Sequence, residues 1–168
     1  MKAIVVNRFG GPEVLEYADA PDPKPTAGTV LVKVHAAGVN PVDTYLRTGT
    51  YAFQPPLPYT PGMDAAGIVL ETGAGVTNVS EGDRVYVAGS LSGAYAEQTL
   101  CAAQQVYPLP KALTFPQGAA LGIPYGTAFQ ALFHRGIAEG IAGGIVVPVV
   151  SAELPLKDAP TAHKDVIE

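Results

Sequence analysis

GVNPVDTYLRTGTYAFQPPLPYTPGMDAAG, residues Gly38–Gly67, holds the main cluster of polar and aromatic side chains in this sequence. Apolar strand patterns lie on both sides of it, at residues 30–34 and 66–71. Glycines and prolines divide the stretch into turns. Polar and aromatic groups in a loop held between strands are typical of a functional site on a rigid scaffold. A polar surface loop with packed tyrosines would show the same pattern, so composition alone leaves both interpretations open.

Short strand patterns joined by Gly- and Pro-rich turns dominate the chain on either side of this stretch. A Gly-Gly-Pro turn at Gly10 predicts a hairpin between residues 1–7 and 15–18. Further strands are predicted at residues 29–36, 66–71, 84–89, 93–100 and near residue 107. Helical patterns follow in the last third of the chain. The sequence therefore predicts a β-rich α+β domain with a few short helices.

Helix boundaries can be predicted from capping residues. Asn40 is a candidate N-cap with Pro41 at the first helical position, so residues 40–47 are predicted to form a helical turn. Asp43 and Arg47 would then lie four residues apart, where a salt bridge can form. Thr114 is a second candidate N-cap, with Gln117 at capping-box spacing. We expect Pro124 to interrupt that helix and a further helix to span residues 127–134.

Bulk composition excludes several classes of protein. The chain has 168 residues, 48% hydrophobic and 15% charged, which is typical of one globular domain. Its net charge of −5, with ten scattered Lys and Arg residues, argues against a nucleic-acid partner. No apolar run is long enough for a membrane span, and the first residues are typical of an edge strand rather than a signal peptide. The single cysteine rules out an internal disulfide and fits a cytoplasmic location.

Six motifs, in order, resemble the catalytic domain of the zinc-independent medium-chain dehydrogenase/reductases, in particular the zeta-crystallin-like NADPH:quinone oxidoreductases. They cover about four-fifths of the chain and comprise FGGPEVLEY (Phe9–Tyr17), NPVDTYLRTGTY (Asn40–Tyr51), LPYTPGMDAAG (Leu57–Gly67), GDRV (Gly82–Val85), GAYAE (Gly93–Glu97) and GIPYGTAFQAL (Gly122–Leu132). The resemblance implies a GroES-like fold, a twisted and partly open β-barrel with a few short helices.

The same resemblance implies hydride transfer from NADPH to a quinone or a related α,β-unsaturated carbonyl. By motif position it implies catalytic roles for Tyr45, Tyr51, Asn40 and Asp43. It likewise implies that the cofactor would be contacted by Asn40, Tyr45, Arg47 and Thr127. Tyrosine hydroxyls can donate hydrogen bonds to a carbonyl oxygen as it gains charge, although the same rings can equally serve as flat walls.

A zinc site is not expected. Zinc-dependent relatives place a cysteine after the Gly-Val pair and a histidine after the glycine that Gly62 matches. This chain has Asn40 and Met63 at those positions, and neither side chain supplies a thiolate or an imidazole.

The order of motifs departs from the family after residue 135. Residues 1–135 match the family's front, whereas residues from about 137 to 168 resemble its far C-terminal part, with a strand at residues 146–156 and a helix after it. The strand–turn–helix that would bind a dinucleotide pyrophosphate is not found. We therefore interpret residues 1–168 as a single GroES-like catalytic domain rejoined after loss of the nucleotide-binding domain, with no cofactor bound tightly.

Three functions fit this interpretation. The first is the substrate-side domain of a quinone oxidoreductase, inactive alone. The second is a shortened reductase that borrows a nucleotide-binding chain or keeps a weak cofactor site. The third is a non-catalytic binding module for small aromatic ligands or a protein partner. Loss of a domain would uncover apolar surface and an open sheet edge, so homo-oligomers are also expected.

Overall fold

The computed structural model of the chain describes residues 1–131 and 153–165. Within these ranges no helix combines the length and the apolar character needed to cross a membrane. Most of the strand predicted at residues 146–156 and the end of the helix predicted at residues 127–134 lie outside the described residues. The β-rich architecture with a few short helices is confirmed.

The predicted N-terminal hairpin is confirmed. Strands β1 (Lys2–Val6) and β2 (Leu15–Asp19) pair antiparallel, with Ile4 opposite Tyr17. A single 3-10 turn, Pro12–Val14, connects them after the Gly-Gly pair. β1 also hydrogen-bonds to two loops, because the Ile4 and Val6 amides donate to the carbonyls of Tyr95 and Tyr59. The hairpin is thereby fixed beside the segment that holds the polar side chains.

A curled five-strand sheet forms the half-barrel that carries the core. Its strands are β3 (Thr29–Ala37), β4 (Asp64–Thr72), β5 (Arg84–Ala88), β6 (Gln98–Ala102) and β7 (Val106–Pro108). The order across the sheet is β6-β3-β4-β5-β7, and every pairing is antiparallel. Alternating Val residues of β3 and β5 fill its interior, including the fully buried Val30, Val32, Val85 and Val87.

One strand prediction needs correction. Residues 93–100 were expected to form one strand, but β6 starts only at Gln98. Gly93 has a φ of 87°, and the amides of Ala94 and Tyr95 donate to carbonyls of Gly62 and Pro61. Residues 94–95 pair with this loop, and Ala96 forms a single bridge to Ala3 of β1. The segment therefore lies outside the five-strand sheet and brings Tyr95 inward.

Helix α1 (Pro41–Thr48) starts after Asn40 and ends at Gly49, whose φ of 73° closes the last turn. Helix α2 (Phe115–Ala119) starts after Thr114, whose side chain accepts a hydrogen bond from the Gln117 amide. Both predicted N-caps are therefore confirmed. These caps stabilise the helix starts because a side-chain or backbone oxygen accepts hydrogen bonds from the first helical N–H groups, which have no acceptor within the helix.

The prediction for Pro124 is wrong. Helix α3 (Gly122–Phe129) runs through it. Pro124 lies in the first turn, where the backbone N–H has no helical acceptor, so its loss breaks no hydrogen bond. At the end of the described chain, a 3-10 turn at Leu156–Asp158 leads into helix α4 (Ala159–Asp165), where a helix was predicted, and Pro160 lies in its first turn.

Helix α4 packs against the N-terminal hairpin rather than the five-strand sheet. Ala159 joins a buried cluster with Ile4, Val6, Val14 and Tyr95. That cluster is separate from the sheet's own core of β3, β4 and β5 side chains. The C-terminal helix therefore closes the region beside α1, where the candidate site lies.

Candidate functional site

The polar face of α1 is buried. Asp43 and Arg47 are each 1% exposed and Asn40 is 3% exposed. The Asp43 carboxylate accepts the backbone N–H of Asn40 at 2.9 Å through Oδ2. The Asn40 side chain points its amide the other way and donates to Asp64 Oδ2, also at 2.9 Å. The residues that precede and begin α1 are thus tied to the start of β4.

Asp64 lies beneath the start of α3. Its Oδ2 also accepts the backbone N–H of Ile123 at 2.8 Å, in the first turn of that helix. A negatively charged group there also interacts favourably with the helix dipole. Burial nevertheless raises the pKa of Asp64, and its Oδ1 has no hydrogen-bond partner among the described residues. Asn40 and Asp64 together connect α1 to α3.

On the other side of α1, a chain of hydrogen bonds reaches the C-terminal helix. Arg47 Nε donates to His163 Nδ1 at 3.1 Å, and a terminal nitrogen of Arg47 donates to the Gly10 carbonyl. His163 Nε2 lies 3.2 Å from the Tyr95 hydroxyl, which donates to Asp43 Oδ2 at 3.2 Å. Two side chains on adjacent turns of α1 are therefore joined through Tyr95 and His163.

The salt bridge that the spacing of Asp43 and Arg47 allows does not form. Within the described part of the chain the two residues form no ion pair, although both are buried on the same helix face. Asp43 takes its hydrogen bonds from Asn40 and Tyr95, whereas Arg47 extends toward His163 and Gly10. Tertiary partners on either side of α1 have displaced the local i, i+4 contact.

Burial shifts the pKa values of the titratable groups in this network. It raises the pKa of Asp43 to about 7, with a smaller contribution of the same sign from the charge of Asp64. Burial and the neighbouring Arg47 charge lower the pKa of His163 to about 4. The pKa of the Tyr95 hydroxyl is well above its ordinary value, chiefly through burial. At pH 6 the folded network therefore keeps His163 neutral and favours a protonated Asp43.

The two tyrosines predicted as catalytic lie on the surface. Tyr45 is 51% exposed on the outer face of α1, and Tyr51 is 45% exposed in the loop that follows. Their hydroxyls are accessible to a ligand, unlike the side chains of Asn40, Asp43 and Arg47. The predicted site residues thus divide into an exposed pair and a buried set that supports α1.

Thr127 lies apart from both groups, in a cleft beside α3. The cleft has a volume of about 510 Å³, and its lining includes Met63, Gln105, Ile123, Thr127 and Gln130. None of the described residues that line it carries a charge. Such a cleft suits a flat, neutral group that can take hydrogen bonds from amide and hydroxyl side chains.

The sequence patterns did not single out Tyr95, His163 or Asp64 as site residues. Tyr95 lies within the GAYAE motif, whose match to the family was the available signal. His163 has no comparable local signal. It is 116 residues from Arg47 in the sequence and is fully buried in the fold.

A metal cluster is not found among residues 1–131 and 153–165, where no three His, Cys, Asp or Glu side chains converge. Met63 is one of the residues that line the cleft, and the Asn40 side chain donates a hydrogen bond to Asp64. Cys101 is fully buried in the sheet core, and burial raises the pKa of its thiol to about 12. A thiol in that environment is a poor metal ligand.

The family is shown by comparison with known proteins. Residues 26–111, about half of the chain, match the model of the alcohol dehydrogenase GroES-like domain. The chain belongs to this family. The matched range includes β3 to β7 together with α1, so the GroES-like domain contains the half-barrel and the polar face of α1. The predicted fold is thereby confirmed.

Similar proteins are quinone oxidoreductases. That of Rattus norvegicus is 52% identical over 154 residues, covering 86% of this chain and 47% of the relative. That of Homo sapiens is 48% identical over the same coverage. Among solved structures, Escherichia coli quinone oxidoreductase complexed with NADPH has a TM-score of 0.76 and 37% identity, covering 80% of this chain and 41% of that one. These relatives confirm the resemblance, and the chain spans about half the length of the curated relatives it matches.

We expect the purified chain to carry no stoichiometric zinc. Asn40 donates its amide to a carboxylate, and a Met63 thioether is a poor ligand for this ion. Elemental analysis after dialysis should detect well below one zinc per chain. One retained zinc per chain, lost on replacing Asp64 with asparagine but not on replacing exposed Asp22, would contradict this prediction.

Proposed function

We propose that this GroES-like domain is the substrate-side part of an NADPH-dependent quinone oxidoreductase, and that the chain alone does not reduce quinones at a useful rate. The observation that carries the proposal is the uncharged cleft beside α3, with Thr127 and two glutamine side chains on its walls. A quinone ring is flat, neutral and edged by carbonyl oxygens, so it suits these donors. The quinone oxidoreductase relatives support the same assignment.

The described residues fit only part of NADPH. A nicotinamide ring matches the size and neutrality of the cleft. The phosphates need clustered N–H donors or Lys and Arg side chains, and the described lining of the cleft includes no basic residue. When bound, the cofactor supplies the hydride, and this domain would bind and orient the acceptor.

Each group of side chains has a separate role in this proposal. Thr127 would contact a quinone ring in the cleft beside α3. Tyr45 and Tyr51 are outside the described lining of that cleft, so their exposed hydroxyls would donate hydrogen bonds to a carbonyl of a substrate that extends beyond it. Asn40 and Asp43 would act through the backbone, because they are buried and bonded to Asp64, Tyr95 and α1 itself. Arg47 likewise has its partners within the chain, so we propose that it supports α1.

Positioning is the reason to expect an inactive chain. Holding donor and acceptor in reacting geometry accounts for about 7–11 kcal/mol of barrier lowering in well-oriented systems. Much of that orientation comes from remote parts of a bound cofactor. A cleft that takes only a ring would leave the adenosine and phosphates in water, and the ring would lack a fixed orientation.

The test measures binding and turnover on the purified chain. Adding 9,10-phenanthrenequinone should shift the amide NMR signals of Ile123, Gly126 and Thr127, and should leave the remote Gly75 signal unchanged. Replacing Thr127 with valine, which keeps the shape and removes the hydroxyl, should weaken that binding. NADPH oxidation should stay at the uncatalysed rate. Quinone-dependent oxidation that Tyr51→Phe abolishes would instead favour a shortened reductase.

A second candidate is a non-catalytic binding module. Four large apolar side chains on α1 and in the loop that follows it are at least 40% exposed, namely Tyr45, Tyr51, Phe53 and Leu57. Exposed aromatic groups at this density are typical of surfaces that bind aromatic ligands or partners. In the same titration, shifts confined to residues 45–57 and absent from α3 would favour this function over the first.

A cytoplasmic location and self-association remain predictions. Sedimentation velocity at high micromolar concentration should detect dimers or larger species, since large apolar side chains are exposed.

A further inference from the structure

The described part of helix α4 would not be stable by itself. It spans seven residues, whereas isolated helices below about 12–15 residues are marginal in water. Its apolar contribution is also modest, since Ala159 is the buried hydrophobic residue that it adds to the hairpin cluster, with Leu156 partly buried before it. Some further interaction must therefore hold the helix in place.

His163 supplies that interaction. Within the described part of the chain, both side-chain hydrogen bonds that join α4 to the rest of the molecule involve this fully buried residue. Its ring also meets the Tyr95 ring edge-on, with centroids 5.5 Å apart and an interplanar angle of 84°. Such aromatic contacts add to the stabilisation from buried area.

The partners of His163 fix its tautomer. The guanidinium of Arg47 can only donate, so Nδ1 of His163 must accept. The ring proton then lies on Nε2 and is donated to the Tyr95 oxygen, whose own proton goes to Asp43 Oδ2. In this series of three hydrogen bonds, each donor therefore lies on the Arg47 side and each acceptor on the Asp43 side. A second ring proton, on Nδ1, would face the Arg47 N–H.

We propose that His163 fixes α4 to α1 through this series of hydrogen bonds, as a neutral imidazole in the Nε2–H tautomer. These hydrogen bonds of His163 to Arg47 and Tyr95 form a latch, and breaking them releases α4 while the five-strand sheet stays folded. The two buried clusters support the second half of the proposal, because α4 belongs to the hairpin cluster. Among the described residues, that cluster and the sheet core share only the partly buried Ala37 of β3. Local opening of this kind is common where few apolar contacts hold an element. The lowered pKa of His163 agrees with a neutral ring. The latch does not depend on the proposed function.

The first measurement is the tautomer. Long-range ¹⁵N–¹H NMR spectra of the intact chain at pH 7 should give one imidazole with a protonated Nε2 and an unprotonated Nδ1. Loss of that signal in His163→Gln assigns it among the three histidines of the chain. A protonated Nδ1, or a mixture of the two tautomers, would overturn the proposal.

The second measurement is release of α4. Tyr95→Phe keeps the ring and its edge-on contact but leaves the Nε2–H without an acceptor. Amide hydrogen exchange in α4 should accelerate about tenfold or more, as expected for an unpaired buried donor, while exchange in β3 and β5 stays unchanged. Tyr107→Phe, at an exposed tyrosine, is the matched control and should change neither. Unchanged α4 exchange, or equal acceleration in α4 and the sheet, would disprove the latch.

If Tyr95→Phe does not fold, the wild-type chain still gives a decisive result. Amide exchange at increasing sub-denaturing urea should show α4 opening in a step of its own, before β3 and β5. Opening of all three elements in one global step would overturn the proposal.

Discussion

Replacing Gly67 with alanine should destabilise the chain by at least about 3 kcal/mol, a large share of the 5–15 kcal/mol typical of a folded domain. Gly67 is in the middle of β4, the central strand, opposite Val34 on β3 and Val85 on β5. A Cβ at this position would overlap the backbone carbonyl of Lys33 and lie 3.2 Å from a Val32 methyl group. A backbone carbonyl within a sheet cannot move aside without breaking strand pairing.

Urea denaturation followed by circular dichroism measures the effect. Gly126→Ala is the matched control, because a Cβ there meets no atom of the described residues within 4 Å and the residue lies within α3. Alanine has higher helix propensity than glycine, so that variant should be as stable as the wild type or up to about 1 kcal/mol more stable. A Gly67→Ala chain with the wild-type denaturation midpoint would show that β3 and β4 are farther apart than the structure indicates.

Local sequence signals predicted the scaffold well, for a physical reason. The turn at Gly10 and the caps at Asn40 and Thr114 each depend on residues within a few positions of one another. Strand alternation in β3 likewise follows from neighbouring residues. Such features can be recognised without knowing which distant segments meet.

The buried network depends on contacts that no local pattern encodes. Tyr95 reaches Asp43 across 52 residues, and His163 reaches Tyr95 across 68. The spacing of Asp43 and Arg47 allowed a salt bridge, but both side chains bind other partners instead. The error at Pro124 has a different origin, since the start of α3 was placed too late and the proline was assigned to a helix interior.

The second large effect concerns pH. In the unfolded chain at pH 5, a histidine near its ordinary pKa of 6.5 is protonated and an aspartate near 3.8 is ionised. In the folded chain the pKa of Asp43 is about 7 and the pKa of His163 is about 4, so the carboxyl holds the proton and the imidazole does not. Each state binds one proton at this pair of residues. The pair should therefore contribute little net pH dependence to folding between about pH 4 and 6.5.

When either residue is replaced, the pH dependence that the other gives to the free energy of unfolding should become measurable. Asp43 with a raised pKa stabilises the fold at low pH, and that contribution is lost as the pH rises from 3.8 through 7. His163 with a lowered pKa acts oppositely, because the unfolded chain binds its proton more tightly, so stability falls as the pH drops from 6.5 toward 4. One pKa unit corresponds to about 1.4 kcal/mol. Each residue should therefore change the free energy of unfolding by about 3–4 kcal/mol between its unfolded and folded pKa values.

Two variants measured by urea denaturation from pH 4 to pH 8 test this prediction. The free energy of unfolding of Asp43→Asn, minus that of the wild type, should increase with pH by about 3 kcal/mol or more. The same difference for His163→Gln should decrease with pH by about 3 kcal/mol. Subtracting the wild type removes the contributions of all other titrating groups. Glu81→Gln, at an exposed glutamate that forms no ion pair among the described residues, should give a nearly flat difference as a control. Both differences could instead change with pH in the same direction, or not change at all. Either result would show that folding does not transfer the proton from His163 to Asp43.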